Sequence, residues 1–374
     1  MRFLTLIPFL FISLCCNAQI GISTNSPDSS AALEIKDTAR GILIPRMTLN
    51  QRTAIANPAE GLMVYQNDGV KGFWYFDGTQ WLRNGTSPGN TGSGKSIIIL
   101  TDTITNIQAQ IKIAAELGAN TQEIRIIGCT NLTTIDLSAV TQIVSLHVID
   151  NPLLQSVDLR NLINCDGDFE LNNCPLLTNL NLNSLQRVVG LFEDFEFLNL
   201  GLSELNLPSL RLITNSLQIQ GNESLQSVLI PLLEKAGGVR FSSNMLLSSI
   251  TLSALIKTGN IYIGNNNNLN LVSFPLLAEF SGIQGPLTIN NNLNLNSIQI
   301  PSLAVFNSGY FNVTGNKLTT SNINNLLNIL VSITPNISGV NIDLSHQTPL
   351  APPSDEGITH KNTLIANGNT VTTD

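Results

Sequence analysis

Between Leu217 and Phe274 the apolar positions repeat in register three times. Each copy reads apolar, any, apolar, two residues, Asn, two residues, Leu, two residues, apolar, any, apolar. The anchors are Leu217/Ile219, Asn222, Leu225 and Val228/Ile230, then Val239/Phe241, Asn244, Leu247 and Ile250/Leu252, then Ile261/Ile263, Asn266, Leu269 and Val272/Phe274, with a step of 22 residues. A fixed period of this size marks a solenoid, in which each unit buries its apolar face only by stacking on its neighbours. The same unit begins at Ile124, Leu146, Phe169, Phe195, Leu287 and Phe311, so about nine coils of 22–26 residues are expected. Within each unit two segments alternate with period two, predicting two strands with inward and outward faces. Parallel pairing of successive coils at roughly 4.8 Å gives a rod of roughly 40 Å.

The Asn position holds Cys129, Asn151, Cys174, Asn222, Asn244, Asn266, Asn292 and Asn316, and fails at Leu200 in the fourth coil. An inward Asn beside a strand end can bond the backbone of its own turn and of the next, so this column reads as a structural ladder. Cys129 and Cys174 then also read as structural. They lie two coils apart, roughly 9.6 Å at the strand spacing, which is too far for a disulfide.

The units "LQIQGNESLQSVLIPLL" and "LTINNNLNLNSIQIPSLAVF" resemble the receptor L-domain and its relatives among fungal cell-wall and bacterial surface proteins. The resemblance covers about Ile124 to Val331 and implies a leucine-rich-repeat-like, right-handed parallel β-solenoid in a mainly β chain. That motif fixes the fold and leaves the partner open.

Residues 1–18 place Arg2 before the apolar run "FLTLIPFLFISLCC", then Asn17 and Ala18. This predicts a secretory signal peptide cleaved after Ala18, too short for a membrane anchor, and so an extracellular or outer-surface location. No transmembrane segment is expected in the mature chain, which keeps three cysteines. Residues 19–83 form a different, β-rich module. A short helix is expected from a Thr48 cap to a stop at Pro58, followed by strands turning near Asn67-Asp68-Gly69 and Asp77-Gly78. The phrases "AALEI", "GILIPRMT", "NPAEGLMVY" and "YFDGTQW" are similar to a module found at the mature N-terminus of secreted Bacteroidetes proteins, and resemble pieces of trimeric fibre proteins. Alternate members of the set Tyr65, Phe73, Trp74, Tyr75, Phe76 and Trp81 are expected to make its small core, with an exposed aromatic platform for sugar or self-association as the alternative.

Residues 84–95 have the composition of a flexible linker. Residues 96–123 are expected to cap the solenoid, with Ile104, Ile107, Ile111, Ala114 and Ala115 on the apolar side of a helix. The coils run over 124–321. Residues 322–374 close the other end, led by a helix that buries Ile323, Leu326, Leu327 and Leu330.

Only 12% of residues are charged, the net charge is −8 and the pI about 4.9, which argues against nucleic acid as a partner. His147, His346 and His360 lie at no metal-ligand spacing, and no phosphate loop, nucleophile elbow or zinc motif occurs. Asp136 and Asp158 share an outward position on consecutive coils, roughly 5 Å apart, a separation that suits a retaining glycosidase. The next coils carry Asn181 and Asn206 there, so a non-catalytic protein without cofactor or metal is expected. Asp166, Asp168 and Glu170 read as a solvated acidic edge in preference to a calcium site.

The expected function is recognition of an extracellular protein or glycan. The outward column of the first strand is Arg125, His147, Glu170, Glu196, Gln218, Arg240, Tyr262, Thr288 and Asn312. Two coils of 26 residues are expected to bulge as loops. They offer Phe192, Glu193, Asp194 and Glu196 in the first and Glu279 and Phe280 in the second as partner contacts, beside Arg125, His147, Arg240 and Tyr262 from the column. The alternative is a structural envelope or fibre component that forms homo-oligomers through residues 19–83. A polysaccharide-cleaving solenoid is the remote third reading.

Overall fold

The computed structural model describes residues 19–68, 72–76, 81–83, 94–190, 195–282 and 285–374. It is a mainly β chain, a parallel β-solenoid of about 11 turns with four helices and a small N-terminal β module. One column of strands runs from Ile97–Thr101 through Glu123–Ile127, Ser145–Ile149, Phe169–Cys174 and Phe195–Leu200 to Leu212–Gln220. It continues through Lys235–Ser242, Ile261–Gly264, Leu287–Asn290 and Tyr310–Asn312 to Asn341–Asp343, and Thr370–Thr372 adds a last strand. Every pairing is parallel, and the register follows the predicted anchors, Leu146 opposite Phe169 and Val239 opposite Ile261.

Two of these turns were expected to be caps. Ile97–Thr101 and Asn341–Asp343 bury Ile98, Leu100 and Ile342 as the coils do, but carry Thr103 and Gln347 where the repeat has Asn. The coils between the two capping helices also have three strand segments where two were expected. The second strip includes Thr134–Asp136, Ser156–Asp158 and Asn179–Asn181, and later Ser249–Thr251, Leu271–Ser273 and Ser297–Gln299. The third is built of pairs such as Asn164–Cys165, Lys257–Thr258, Glu279–Phe280 and Val305–Phe306. A two-residue strand has one inward side chain, so no alternation is visible in the sequence.

The inward positions merge into a single continuous core. Phe169, Phe195 and Phe197 pack with ring centroids 4.7–6.0 Å apart, and Phe280 stacks on Phe306 at 5.1 Å. The Asn column lies within this core as a run of hydrogen bonds from coil to coil, interrupted at Leu200, whose side chain has no amide to offer Cys174. Asn244 Oδ1 accepts from Asn222 N and Nδ2, both at 3.2 Å, while Asn244 Nδ2 donates to the Ile219 carbonyl at 2.9 Å. Asn266, Asn292 and Asn316 repeat the pattern. Asn151 accepts from Cys129 N and donates to the Ile126 carbonyl, and Gln347 closes the far end by donating to the Val313 carbonyl at 2.8 Å. Even Leu200, which lacks the amide, donates its backbone N–H to Asn222 at 2.9 Å.

A second column, unread in the sequence, makes the ladder possible. The residue before every ladder position is left-handed, with φ between 52° and 68°: Gly128, Asp150, Asn173, Asn199, Gly221, Ser243, Asn265, Asn291 and Gly315. Gly, Asn and Asp tolerate this conformation best, which accounts for the residue types in the column. The turn rotates the following Asn inward at the end of each strand.

The helix Asn106–Glu116 caps the first turn, but with the opposite face from that expected. Ala109 and Ile113 are buried, whereas Ile107 and Ile111 are 55% and 58% exposed. Polar bonds set the rotation: Asn106 Oδ1 accepts from Thr133 N and its Nδ2 donates to Thr133 Oγ1, both at 2.8 Å, and Gln110 Nε2 donates to the Asp136 carbonyl at 3.2 Å. At the other end Thr320–Val331 buries Ile323, Leu326, Leu327 and Leu330, and packs against Glu356–Ala366.

In the N-terminal module Arg46–Met47, Met63–Gln66, Gly72–Phe76 and Trp81–Arg83 form one sheet beside the helix Leu49–Thr53, whose Thr48 and Gln51 make a reciprocal cap. The aromatics pack in pairs, Tyr65 with Phe73 at 5.2 Å and Phe76 with Trp81 at 5.6 Å, and a cation joins them. Arg52, nearly buried, lies 3.9 Å from the Trp74 ring centroid and 5.3 Å from that of Trp81, and its Nε donates to Gln66 at 2.9 Å. Among the described residues of this module Val64 is the single buried apolar side chain, while Ile20, Ile22, Leu33, Ile42, Leu43, Leu49, Leu62, Met63 and Phe73 are exposed.

Candidate recognition face

Alternation in the long parallel sheet turns every second side chain outward, so the outward residues of successive coils stand side by side. The register brings together Arg125, His147, Glu170, Glu196, Gln218, Arg240, Tyr262, Thr288 and Asn312 in one row.

The first half of the face is acidic and internally paired. His147, offered as a partner contact, has only 17% of its side chain exposed. Its Nε2 lies 3.5 Å from Glu123 and 4.0 Å from Asp168, and its Nδ1 3.4 Å from Glu170. These carboxylates come from the row and from the position two residues before it, which the pairing of Ser145 with Glu123 places beside the imidazole. Arg125 binds Glu123, and that carboxylate raises the guanidinium pKa above its ordinary value. Glu196 accepts from Gln218 Nε2 at 3.2 Å. Asp166, from the expected acidic edge, pairs with Arg187 at 3.0 Å.

The second half has a different character. The Arg240 guanidinium stands 4.3 Å from the Tyr262 ring centroid, and no carboxylate among the described residues pairs with it. Six buried side-chain polar atoms lack a hydrogen-bond partner among the described residues, and four of them, Arg240 Nε, Ser242 Oγ, Asn260 Oδ1 and Asn290 Oδ1, lie on or beside the strands Lys235–Ser242, Ile261–Gly264 and Leu287–Asn290. Gly264 stands between Ser242 and Asn290 in the register. A Cβ there would come within 2.8 Å of Asn290 Oδ1 and 2.9 Å of the Tyr262 hydroxyl, so the missing side chain is what lets Tyr262 lie down along its own strand. Sequence reasoning singled out Arg240 and Tyr262 but passed over Ser242, Asn260, Gly264 and Asn290. A glycine inside a strand pattern was the available signal.

The two insertion calls fare differently. Phe192, Glu193 and Asp194 lie outside the described residues. Glu279 and Phe280 are not on a bulge: they form a strand of the third strip, between Lys257–Thr258 and Val305–Phe306. Phe280 is 0% exposed and faces the core, and Glu279 pairs with Lys257 at 2.6 Å, a hydrogen bond that holds its carboxyl below the ordinary range. The extra residues of that coil follow Phe280.

Asp136 and Asp158 stand opposite one another in the second strip. Asp158 is clamped by Arg160 through Nε and Nη2, and Asp136 accepts from Ser138 N at 2.8 Å. Among the described residues no three His, Cys, Asp or Glu side chains converge as metal ligands, and no helix is long and apolar enough to cross a membrane. Cys129, Cys165 and Cys174 are free and buried. Burial pushes the thiols of Cys129 and Cys165 up to about 11 and about 12.

The fold and this face define a β-solenoid repeat protein with a separate N-terminal module. Residues 21–97 match the family described as the phage tail like trimerisation region. Over 174 residues the chain is 28% identical to the protein ecm33 of Aspergillus fumigatus, a match that spans 41% of this chain and 43% of that protein's length. No solved structure matches.

Proposed function

We propose that the chain is a non-catalytic, secreted surface protein that recognises an extracellular protein or glycan through the outward face of its long sheet, and that it works as a homotrimer. The observation that carries the recognition reading is the concentration of unpartnered polar atoms around Arg240 and Tyr262. A buried polar group without a partner costs about 1–3 kcal/mol, and four on adjacent strands mark a place that a polar partner completes when Tyr262 lifts away. The trimer reading rests on the similarity of residues 21–97 to a trimerisation region, together with nine exposed large apolar side chains over one buried apolar residue. A unit of that size with so little core gains its stability by association. Secretion rests on the apolar leader at residues 1–18, which lie outside the described residues. The absence of catalysis rests on the engagement of Asp158 by Arg160 and of Asp136 by its own turn.

A glycan and protein array with the full mature chain tests recognition. Binding is expected to fall at least tenfold in Arg240→Ala and Tyr262→Ala; a ligand whose affinity ignores both substitutions moves the site elsewhere. Mass photometry tests the trimer, with Ile42→Asp/Leu43→Asp expected to give monomers. Polysaccharide cleavage that disappears in Asp158→Asn would promote the enzyme reading.

The fibre-component reading keeps one specific support, the apolar surface of the module. It differs in leaving the sheet face idle, so a trimer that binds nothing on the arrays would favour it.

A further inference from the structure

We propose that the ligand of the long sheet is a glycan carrying a single acidic sugar, whose carboxylate or sulfate is held by Arg240 while its neutral sugars run along the coils that follow. This rests on the recognition reading above and names its ligand class. The distribution of charge carries it. Residues 236–316 contain three charged side chains, Arg240, Lys257 and Glu279. Lys257 and Glu279 pair at 2.6 Å in the third strip. Among the described residues Arg240 is thus the one uncompensated charge of those coils, in a chain whose net charge is −8. Its Nε is buried without a hydrogen-bond partner among the described residues, and a guanidinium takes up anionic oxygens through paired N–H groups.

The surroundings of the cation define the rest of the ligand. Gly238 and Asn260 flank the Arg240–Tyr262 pair on one side, and Ser242, Gly264 and Asn290 on the other. Ser242 is only 4% exposed, and its hydroxyl has no partner among the described residues. Amides and hydroxyls both donate and accept, which is what the hydroxyls of a sugar require. Tyr310, 59% exposed and two strands beyond Tyr262, adds an open ring roughly 10 Å away by strand spacing. On the strands Lys235–Ser242, Ile261–Gly264, Leu287–Asn290 and Tyr310–Asn312 it is the only exposed large apolar side chain. A protein partner needs an interface core of several apolar anchors, so this surface fits a glycan better than an acidic peptide. The number of acidic sugars follows from the same charges. Beyond Arg240 no free cation among the described residues of these coils could balance a polyanion, and Glu123, Asp168, Glu170 and Glu196 repel one from the first half of the face.

The test is titration calorimetry on the full mature chain. Oligosaccharides ending in glucuronate, sialate or a sulfated galactose are compared with the same oligosaccharides after carboxyl reduction or removal of the sulfate, and with a tetraglutamate peptide. At least one acidic form is expected to bind tenfold or more tighter than its neutral counterpart, and the arm that binds tells carboxylate from sulfate. In Arg240→Gln the acidic form should fall to the affinity of the neutral one with an unchanged melting midpoint, while Arg240→Lys should keep part of the preference. Equal affinity for acidic and neutral forms, with dependence on Tyr262 retained, overturns the acidic-sugar inference and leaves the recognition reading standing; so does a preference for the peptide. Failure of every acidic oligosaccharide to bind also overturns the inference. Binding that ignores both Arg240→Ala and Tyr262→Ala removes the recognition reading of this face itself.

Discussion

The inward and outward columns of the long sheet belong to the same strands, yet they follow opposite rules. Inward, Asn222, Asn244, Asn266, Asn292 and Asn316 repeat one residue and spend their amide groups on neighbours. Outward, Glu196, Gln218, Arg240, Tyr262 and Thr288 repeat nothing, and the side-chain oxygens of Asn260 and Asn290 have no partner among the described residues. The same amide is therefore structural or idle according to which face the pleat gives it. Repetition reports what the stack requires. Its failure reports positions free to serve something outside the stack.

The largest test of this contrast is Asn244→Leu. It leaves Asn222 N and the Ile219 carbonyl without partners inside the core, at a cost of about 1–3 kcal/mol for each group. A thermal melt should show this as a marked fall in midpoint, and an unchanged midpoint would mean that the ladder bonds contribute nothing. Asn290→Leu, on the outward face two strands further along the sheet, should by contrast be close to neutral.

A smaller effect separates the columns by pH. The Cys129 and Cys165 thiols lie in the interior, with folded values of about 11 and about 12 against an ordinary 9.0. Because the folded values are raised, their contribution is fully present below pH 9.0 and is lost as the pH rises through the folded values. Stability measured by denaturant titration should therefore decline above about pH 9. A thiol reagent at neutral pH should leave all three cysteines unmodified until the protein unfolds.

The smallest expected effect on stability is at Gly264. Gly264→Ala meets Asn290 Oδ1, the Tyr262 hydroxyl and Tyr262 Cζ at 2.8, 2.9 and 3.1 Å, so both side chains must shift and the fold should lose about 1 kcal/mol. If the second half of the face binds a ligand, the same substitution should weaken that ligand measurably by displacing Tyr262. Circular dichroism and titration calorimetry on one preparation separate the two outcomes.

The sequence made the coils legible because the core imposes its period on Leu, Ile, Phe and Asn at fixed offsets. It hid the third strip, since pairs such as Glu279–Phe280 expose one inward residue and leave no alternation to read. Phe280 was accordingly mistaken for a loop residue. The face was half legible: strand alternation put Arg240 and Tyr262 outward, but the environment of His147 depends on Glu123 and Asp168, which lie in neighbouring coils and two positions off its row. The cap helix misled for a related reason. Its apolar periodicity is real, but Asn106 and Gln110 set its rotation through bonds to residues near Thr133 and Asp136.

The left-handed residue before each ladder position also governs how such a chain can change length. Each turn of backbone leaves its coil in the same direction, and the ladder Asn that follows it bonds no further than the two adjacent coils. Removal of residues 223–244 would join Asn222 directly to Met245, keeping the Gly221 turn and the Leu247 spacing of the following coil. The rod can thus gain or lose whole coils without a new junction, whereas a gain of one or two residues must be expelled to the outside. Reach above the base is set in discrete steps, and insertions of any other size become loops on the surface.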